Sequence, residues 1–316
     1  MRPLIMTTVP LPTRLTQMLE TEFEICGAFL PLDKNIPNEL LARIRAIVTY
    51  GSIPHNATAM DRFKNLDIIG IYGSGQEGID LTAANTRGIV VTSCRGANAS
   101  AAADFGMGLL LASVRRITES DRAVRGGAWP KYPKDRGLTG SRLGILGLGS
   151  VGAKVATRAK AFDMEIGYHN RKRREDVPYV YHSTVLSLAE WADHLMITLR
   201  ADATNRHIVN LPVLKALGQS GHIVNISRGS AVDEASLIEA LESGIIEGAA
   251  LDVFEQEPMT SERLRKLSNV TLTSHIASGT VEANEAMQDQ LCANLTAYFA
   301  GKKVPNPIGA VVAPRK

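Results

Sequence analysis

Arg142-Leu143-Gly144-Ile145-Leu146-Gly147-Leu148-Gly149-Ser150-Val151-Gly152 decides the fold. The residues through Leu146 read as a buried strand, and Ala153 to Ala161 read as the helix that follows. Between them, Gly147, Gly149 and Gly152 take the spacing G-x-G-x-x-G. Glycines at that spacing also occur in plain packing turns. A strand before them and a helix after them make the stretch a dinucleotide-binding loop. Gly147 permits the tight turn, Gly149 lets backbone approach a pyrophosphate, and Gly152 lets helix and strand pack closely. The exposed N–H groups and positive dipole at the helix start favour phosphate. Leu148, Ser150 and Val151 fill the loop and join the glycines as expected cofactor contacts.

The next strand, Glu165 to Tyr168, runs into Tyr168-His169-Asn170-Arg171-Lys172-Arg173-Arg174. An NAD site places an Asp or Glu here, about 20 residues beyond the fingerprint, on the ribose hydroxyls. Asn170 occupies that slot and four cations follow. A carboxylate would repel a 2′-phosphate, whereas a neutral donor and a guanidinium bind it. The turn therefore predicts NADPH in preference to NADH, with Arg171 as first candidate for the phosphate and Arg173 and Lys172 behind it. A solvated basic turn is the alternative.

Further strands follow at 194–198, 222–226, 248–253 and 270–273. Three polar residues stand just beyond the last three: Arg228 in Asn225-Ile226-Ser227-Arg228-Gly229, Glu257 in Leu251-Asp252-Val253-Phe254-Glu255-Gln256-Glu257-Pro258, and His275 in Thr273-Ser274-His275-Ile276. Singly, these read as a surface ion pair, a solvated loop acid and a packed histidine. Together, on carboxyl-end loops that follow a cofactor fingerprint, they converge on one site.

Upstream, Ala46-Ile47-Val48-Thr49, Ile68 to Tyr72 and Gly88 to Thr92 read as buried strands, with a helix around Ala59 to Phe63. Strands alternating with helices predict a parallel sheet covered on both faces. The segment 99–117 is apolar almost all round, as expected of a helix buried between domains or subunits. The polar stretch 118–140, with Gly126-Gly127, Trp129-Pro130 and Tyr132-Pro133, reads as an irregular arm. The amphipathic stretch 281–300 is a closing helix able to return the chain to its first domain. The expected division is 1–98 with 284–316, and 99–283.

A chain of 316 residues, 45% hydrophobic and 21% charged, has material for two cores. Its net charge of +3 gives no reason to expect nucleic acid or a membrane surface. Cys26, Cys94 and Cys292 are too scattered for a disulfide framework or a zinc site and suit a reducing compartment. No secretory signal and no apolar run of membrane length is visible, so the expected location is the cytoplasm.

The motifs from about Gly140 to Thr280 resemble the D-isomer-specific 2-hydroxyacid dehydrogenase family, on the side of its NADPH-dependent glyoxylate and hydroxypyruvate reductases. The segments 225–241, 251–258 and 275–280 carry the match. The first 45 residues resemble the family least. The resemblance implies an α/β protein of two Rossmann-like, doubly wound parallel-sheet domains, a flavodoxin-like substrate domain and a dinucleotide-binding domain. It implies His275 as acid/base, Glu257 as its partner and Arg228 as substrate anchor. Ketone reduction needs a hydride at carbon and a proton at oxygen, and an imidazolium beside a carboxylate can give the proton. Arg228 can pair with the substrate carboxylate and polarise the carbonyl.

By the same resemblance Asp252 holds the nicotinamide carboxamide. Leu199, Arg200, Thr204, Ile226 and Ser227 line the cofactor. Backbone N–H groups of Ser74 and Gly75, in Gly73-Ser74-Gly75-Gln76-Glu77-Gly78-Ile79-Asp80, bind the substrate carboxylate, with Gly51 and Ser52 as the opposite wall. Glu77 departs from the family's more usual Asp. The family's dimerisation elements correspond to helix 99–117 and the arm, implying a homodimer. Trp129 either approaches a neighbouring active site or packs within its own chain. The substrate expected is a small 2-oxoacid. A larger one, of 2-ketogluconate or arylpyruvate type, and a non-catalytic dinucleotide sensor like the family's corepressors are the alternatives.

Overall fold

The computed structural model describes residues 2–28, 36–131, 136–258 and 260–309. Its chain forms two compact units, Met1–Asn98 with Thr280–Lys316, and Ala99–Gly279. The first contains strands β1 (Leu4–Thr7), β2 (Glu24–Ala28), β3 (Ile44–Thr49), β4 (Ile68–Ile71) and β5 (Val90–Thr92). The second contains β6 (Arg142–Leu146), β7 (Glu165–His169), β8 (Val180–Tyr181), β9 (His194–Ile197), β10 (His222–Asn225), β11 (Gly248–Leu251) and β12 (Val270–Leu272). The chain then returns to the first unit through the helix Val281–Phe299 and a short strand, β13 (Pro307–Ile308).

In the first sheet the order is β13-β5-β4-β3-β1-β2, all parallel except β13, which runs antiparallel to β5. The parallel strands thus run 2-1-3-4-5, the flavodoxin-like order. The apolar runs are buried on both faces, as a parallel sheet requires, with Ile5, Ile47, Ile68 and Ile69 fully enclosed. Two strands that the sequence pattern did not announce, β1 and β2, form one half of this sheet. Every residue of β1 is buried, but four residues ending in Met6-Thr7 are too few to separate from the polar stretch behind them. The helix expected around Ala59 to Phe63 is a single turn, Ala57–Asp61, capped by Asn56.

The second sheet runs β12-β11-β10-β9-β6-β7-β8, parallel throughout. Strand order reverses between β6 and β9, the switch point outside whose carboxyl ends doubly wound sheets bind ligands. The helix Ala99–Val114 packs here against the helix Ser150–Lys160 and against β10 and β11. Its apolar character is used inside this unit: a methyl group on Gly106 would lie 2.7 Å from Cδ1 of Ile226.

The arm differs from its expected irregularity. Ile117–Arg125 is a helix with none of its residues buried, held along its surface by Asp121 and Arg125 at 2.9 Å. The helix does carry a stripe, with Ile117 and Val124 two turns apart and both exposed, but nine residues ending at Gly126-Gly127 are too short a run to stand out from the polar segment around them. Trp129 beyond it is 82% exposed. Tyr132 and Pro133 lie outside the described residues. The second tryptophan, Trp191, is built into the second unit, so close to Gly167 that a methyl there would meet Cζ3 at 2.5 Å. No helix among the described residues is long and apolar enough to cross a membrane.

Candidate active site

The phosphate loop lies at the carboxyl end of β6. Gly147 has φ +103°, and a side chain there would run into the backbone of Leu199, 2.5 Å from its Cα. Glycine is thus required twice over, by conformation and by the close approach of the loop after β9. Gly152 is as constrained: a methyl would lie 2.3 Å from the Gly147 carbonyl. Gly149 faces open space and forms the N-cap of Ser150–Lys160 with no side-chain cap. The first-turn N–H groups of Ser150, Val151 and Gly152 have no carbonyl four residues back within the helix. Open space beside Gly149 and uncapped donors beyond it suit a diphosphate, so the loop passes the test for a dinucleotide.

The basic turn beyond β7 is not uniform. Oδ1 of Asn170 accepts from the Leu148 N–H at 2.7 Å, tying the turn to the loop. Arg171 is 82% exposed and stands 3.8 Å from Asp202. Asp202 also accepts from the Thr204 hydroxyl at 2.5 Å, and that bond leads the causes holding its carboxyl below the usual range. Thr204 sits in a turn that Asp202 caps, while the Arg200 carbonyl accepts from Asn205 at 2.9 Å. Arg173 points to Glu175 at 3.3 Å, out in solvent.

The three strand-end loops come together in part. His275 Nδ1 lies 2.7 Å from Glu257 Oε2, and the other carboxylate oxygen accepts from the Phe254 N–H at 3.0 Å. His275 has φ +57°, a left-handed backbone that costs a non-glycine residue of order 1 kcal/mol or more. The buried Asp252 carboxylate holds that conformation. It accepts from Thr273 Oγ1 at 2.6 Å and from the Ile276 and Ala277 N–H groups at 2.9 Å, while its own carbonyl takes the His275 N–H at 2.8 Å. Asp252 is therefore the hub of the histidine loop, a task its place in the sequence motif does not announce.

Arg228 is half-buried and donates to the Ser227 carbonyl at 2.8 Å. Its loop is formed by Asn225, whose Oδ1 accepts from the Ser227 N–H and hydroxyl, both at 3.0 Å, and whose Nδ2 donates to the Arg228 carbonyl at 3.0 Å. Ile226 before it packs against Gly106. The next residue, Gly229, lies against the Phe254 carbonyl so closely that a methyl would come within 1.9 Å of its carbon. That contact presses the Arg228 loop onto the loop carrying Glu257.

In the first unit, Gly51 and Gly75 are in direct backbone contact, with a methyl on Gly51 falling 2.1 Å from the Gly75 oxygen. Gly78 N–H donates to the Gly51 carbonyl at 2.7 Å, and His55 N–H to the Gly78 carbonyl at 2.8 Å. Loops 51–55 and 73–80 thus form one platform, carrying an exposed Ser52 and the half-exposed Ser74 and Gly75. Beneath it a buried chain runs from Thr8 to Thr49 at 2.7 Å and from Thr49 to His55 Nε2 at 3.0 Å. Burial lowers the His55 pKa to about 4, so its ring is neutral. Nothing in the sequence singles out His55, because its role depends on what lies above it.

Among known proteins, a family model described as "D-isomer specific 2-hydroxyacid dehydrogenase, NAD binding domain" matches residues 107–277. The chain is 38% identical over 307 residues to a glyoxylate/hydroxypyruvate reductase A of Arabidopsis thaliana, covering 96% of this chain and 98% of that protein. It is 36% identical to the hydroxyphenylpyruvate reductase of Plectranthus scutellarioides, at 96% and 98% coverage. It superposes with TM-score 0.92 on an NADPH-dependent glyoxylate/hydroxypyruvate reductase of Sinorhizobium meliloti, solved with NADP and malonate, at 35% identity, covering 100% of this chain and 99% of that one.

Proposed function

The chain belongs to the D-isomer-specific 2-hydroxyacid dehydrogenases and is an oxidoreductase using a nicotinamide dinucleotide; from that premise we propose that it reduces a small 2-oxoacid, of the glyoxylate or hydroxypyruvate kind, with NADPH. The contact of His275 Nδ1 with Glu257 at 2.7 Å carries this reading. With Nδ1 bound to a carboxylate, Nε2 is the nitrogen left to exchange a proton with substrate. Glu257 stabilises the charged ring before transfer and, after it, holds the neutral tautomer with its proton on Nδ1. When bound, the dinucleotide supplies the hydride that goes to C2 of the oxoacid.

Arg228 pairs with the substrate carboxylate and stabilises charge developing on the carbonyl oxygen. Its loop is already set by Asn225, so little ordering is left for the moment of binding. In the first unit, the N–H groups of Ser74 and Gly75, with Gly51 and Ser52 packed beside them on the same platform, are a carboxylate-binding group. Leu199, Arg200, Thr204, Ile226 and Ser227 line the dinucleotide, and Asp252 adds a bond to the carboxamide from the carboxylate that orders the histidine loop. The first-turn N–H groups from Ser150 to Gly152 take the pyrophosphate.

The absence of an acid from the Asn170–Arg174 turn supports NADPH. Arg171, exposed and only loosely paired, leaves Asp202 for the 2′-phosphate. Two copies of the chain, joined through the helix Ala99–Val114 and the arm, form the working enzyme in the cytoplasm; the exposed Ile117, Val124 and Trp129 support that pairing. A larger substrate of arylpyruvate type is the second reading, favoured by the likeness to the hydroxyphenylpyruvate reductase.

The test is loss of nicotinamide absorbance at about 340 nm, a standard assay wavelength, with NADPH and NADH run in parallel on glyoxylate, hydroxypyruvate, hydroxyphenylpyruvate and 2-ketogluconate. Fast turnover of the two small acids with NADPH preferred is expected. Dinucleotide binding without turnover of any oxoacid would replace the enzyme by a sensor.

A further inference from the structure

We propose that Arg174 is a positioning residue for the phosphate loop, setting affinity for the dinucleotide while taking no part in the choice between NADPH and NADH. The proposal rests on the dinucleotide reading above. Of the four cations in the turn, Arg174 reaches back to the loop: its Nη1 donates to the Leu148 carbonyl at 3.1 Å. Its other donors, Nε at 2.9 Å and Nη2, fork onto Asp176. The backbone of Arg174 is fixed as firmly. Its N–H donates to the Tyr168 hydroxyl at 2.8 Å, and that hydroxyl donates to the Arg174 carbonyl at 3.1 Å. Tyr168 is fully buried, and the Tyr181 hydroxyl holds the Asn170 carbonyl at 3.2 Å.

Both peptide units of the glycine turn are then accounted for. The Gly147–Leu148 unit gives its N–H to Asn170 and takes the Thr198 hydroxyl on its carbonyl at 2.8 Å. The Leu148–Gly149 unit gives its carbonyl to Arg174 and its N–H to the Gly147 carbonyl at 2.9 Å. Each peptide is planar, so fixing both its ends fixes its orientation. The direction in which the chain enters the helix at Ser150 follows, and with it the aim of the uncapped donors. A pyrophosphate meets a loop already in place instead of ordering it, which is worth affinity. The pyrophosphate is common to both dinucleotides. The 2′-phosphate is not, and the loosely paired Arg171 is the residue for it.

The experiment compares wild type with Arg174→Lys and Arg174→Met, titrating NADPH and NADH by fluorescence and measuring melting temperature and KM for the oxoacid. In Arg174→Met the Kd values for both dinucleotides rise together by about tenfold, the loss expected for one hydrogen bond from a charged group. Their ratio stays fixed, and KM for the oxoacid at saturating dinucleotide does not move. An ammonium can serve the Leu148 carbonyl or Asp176 but not both, so Arg174→Lys falls between. Unchanged Kd values would overturn the proposal, and so would a loss confined to NADPH, which would put Arg174 on the 2′-phosphate itself. If Arg174→Met fails to fold, Arg174→Lys decides between the same outcomes. Wild-type protein binding neither dinucleotide would instead bring down the dinucleotide reading and the proposal with it.

Discussion

His275 and Glu257 meet at 2.7 Å although they stand eighteen positions apart in the chain, and each is held by a different kind of constraint. The carboxylate is anchored on the Phe254 N–H, while the histidine is wound into a left-handed turn around Asp252.

Replacing Glu257 by Gln keeps the shape and removes the charge. Turnover should fall by about 10²- to 10⁴-fold, the range for losing an effective acid–base group, with little change in dinucleotide affinity. His275→Ala should do the same. Steady-state kinetics beside a binding titration read both quantities, and near-wild-type turnover in either variant would remove the pair from the chemistry.

Arg171→Ala should weaken NADPH while leaving NADH nearly untouched. Loss of one charge-assisted contact to the 2′-phosphate predicts about a tenfold drop in the selectivity ratio, or more. Parallel kcat/KM values for the two dinucleotides measure it. Equal losses on both would leave the 2′-phosphate without its assigned ligand.

Gly229→Ala places a methyl 1.9 Å from the Phe254 carbonyl carbon, so the Arg228 and Glu257 loops must separate. A cost of about 1–3 kcal/mol in stability is expected, as for overpacking elsewhere, with a disproportionate loss of kcat. Thermal melts and initial rates on one preparation test this. Full activity in a destabilised variant would show that the spacing of the loops is irrelevant to catalysis.

Burial pushes the pKa of His194 down to about 4, with the charge of His222 a smaller cause in the same direction. Its Nδ1 is buried without a partner. The unfolded chain takes up this proton near pH 6.5, whereas the folded one refuses it until about pH 4. The resulting cost to stability is absent above pH 6.5 and grows as the pH falls towards 4, to on the order of 3 kcal/mol. His55 behaves alike. Denaturant melts between pH 7 and 4.5 should show a shallower decline for His194→Gln than for wild type, and parallel declines would refute the assignment.

The parts of the molecule legible in the sequence are those where a short stretch carries its own reason. Gly147 to Gly152 needs only its flanking strand and helix, and the central strands announce themselves as continuous apolar runs. That Arg228, Glu257 and His275 follow strand ends was equally plain, and the parallel order puts those ends on one side of the sheet. What stayed hidden depends on where side chains turn. Four adjacent cations look alike in sequence, yet Tyr168 and Asp176 direct Arg174 inward and leave Arg171 outside. In the sequence Asn170 stands out for the charge it lacks, while its contact with Leu148 is set by the fold of two loops. The surface helix Ile117–Arg125 has only two large apolar side chains, Ile117 and Val124, and so short a stripe does not stand out in a polar stretch.

The two tryptophans differ in a way that makes them built-in reporters. Trp191 is packed on Gly167, with the Arg142 guanidinium 5.7 Å from its ring centre, whereas Trp129 is 82% exposed. In a lone chain, iodide should quench the Trp129 emission and largely spare that of Trp191. Diluting the protein through the range where copies separate should then unmask the quenchable fraction. A Trp129→Phe variant assigns the signal without any attached dye, and a quenching curve that ignores concentration would place Trp129 outside any contact between copies.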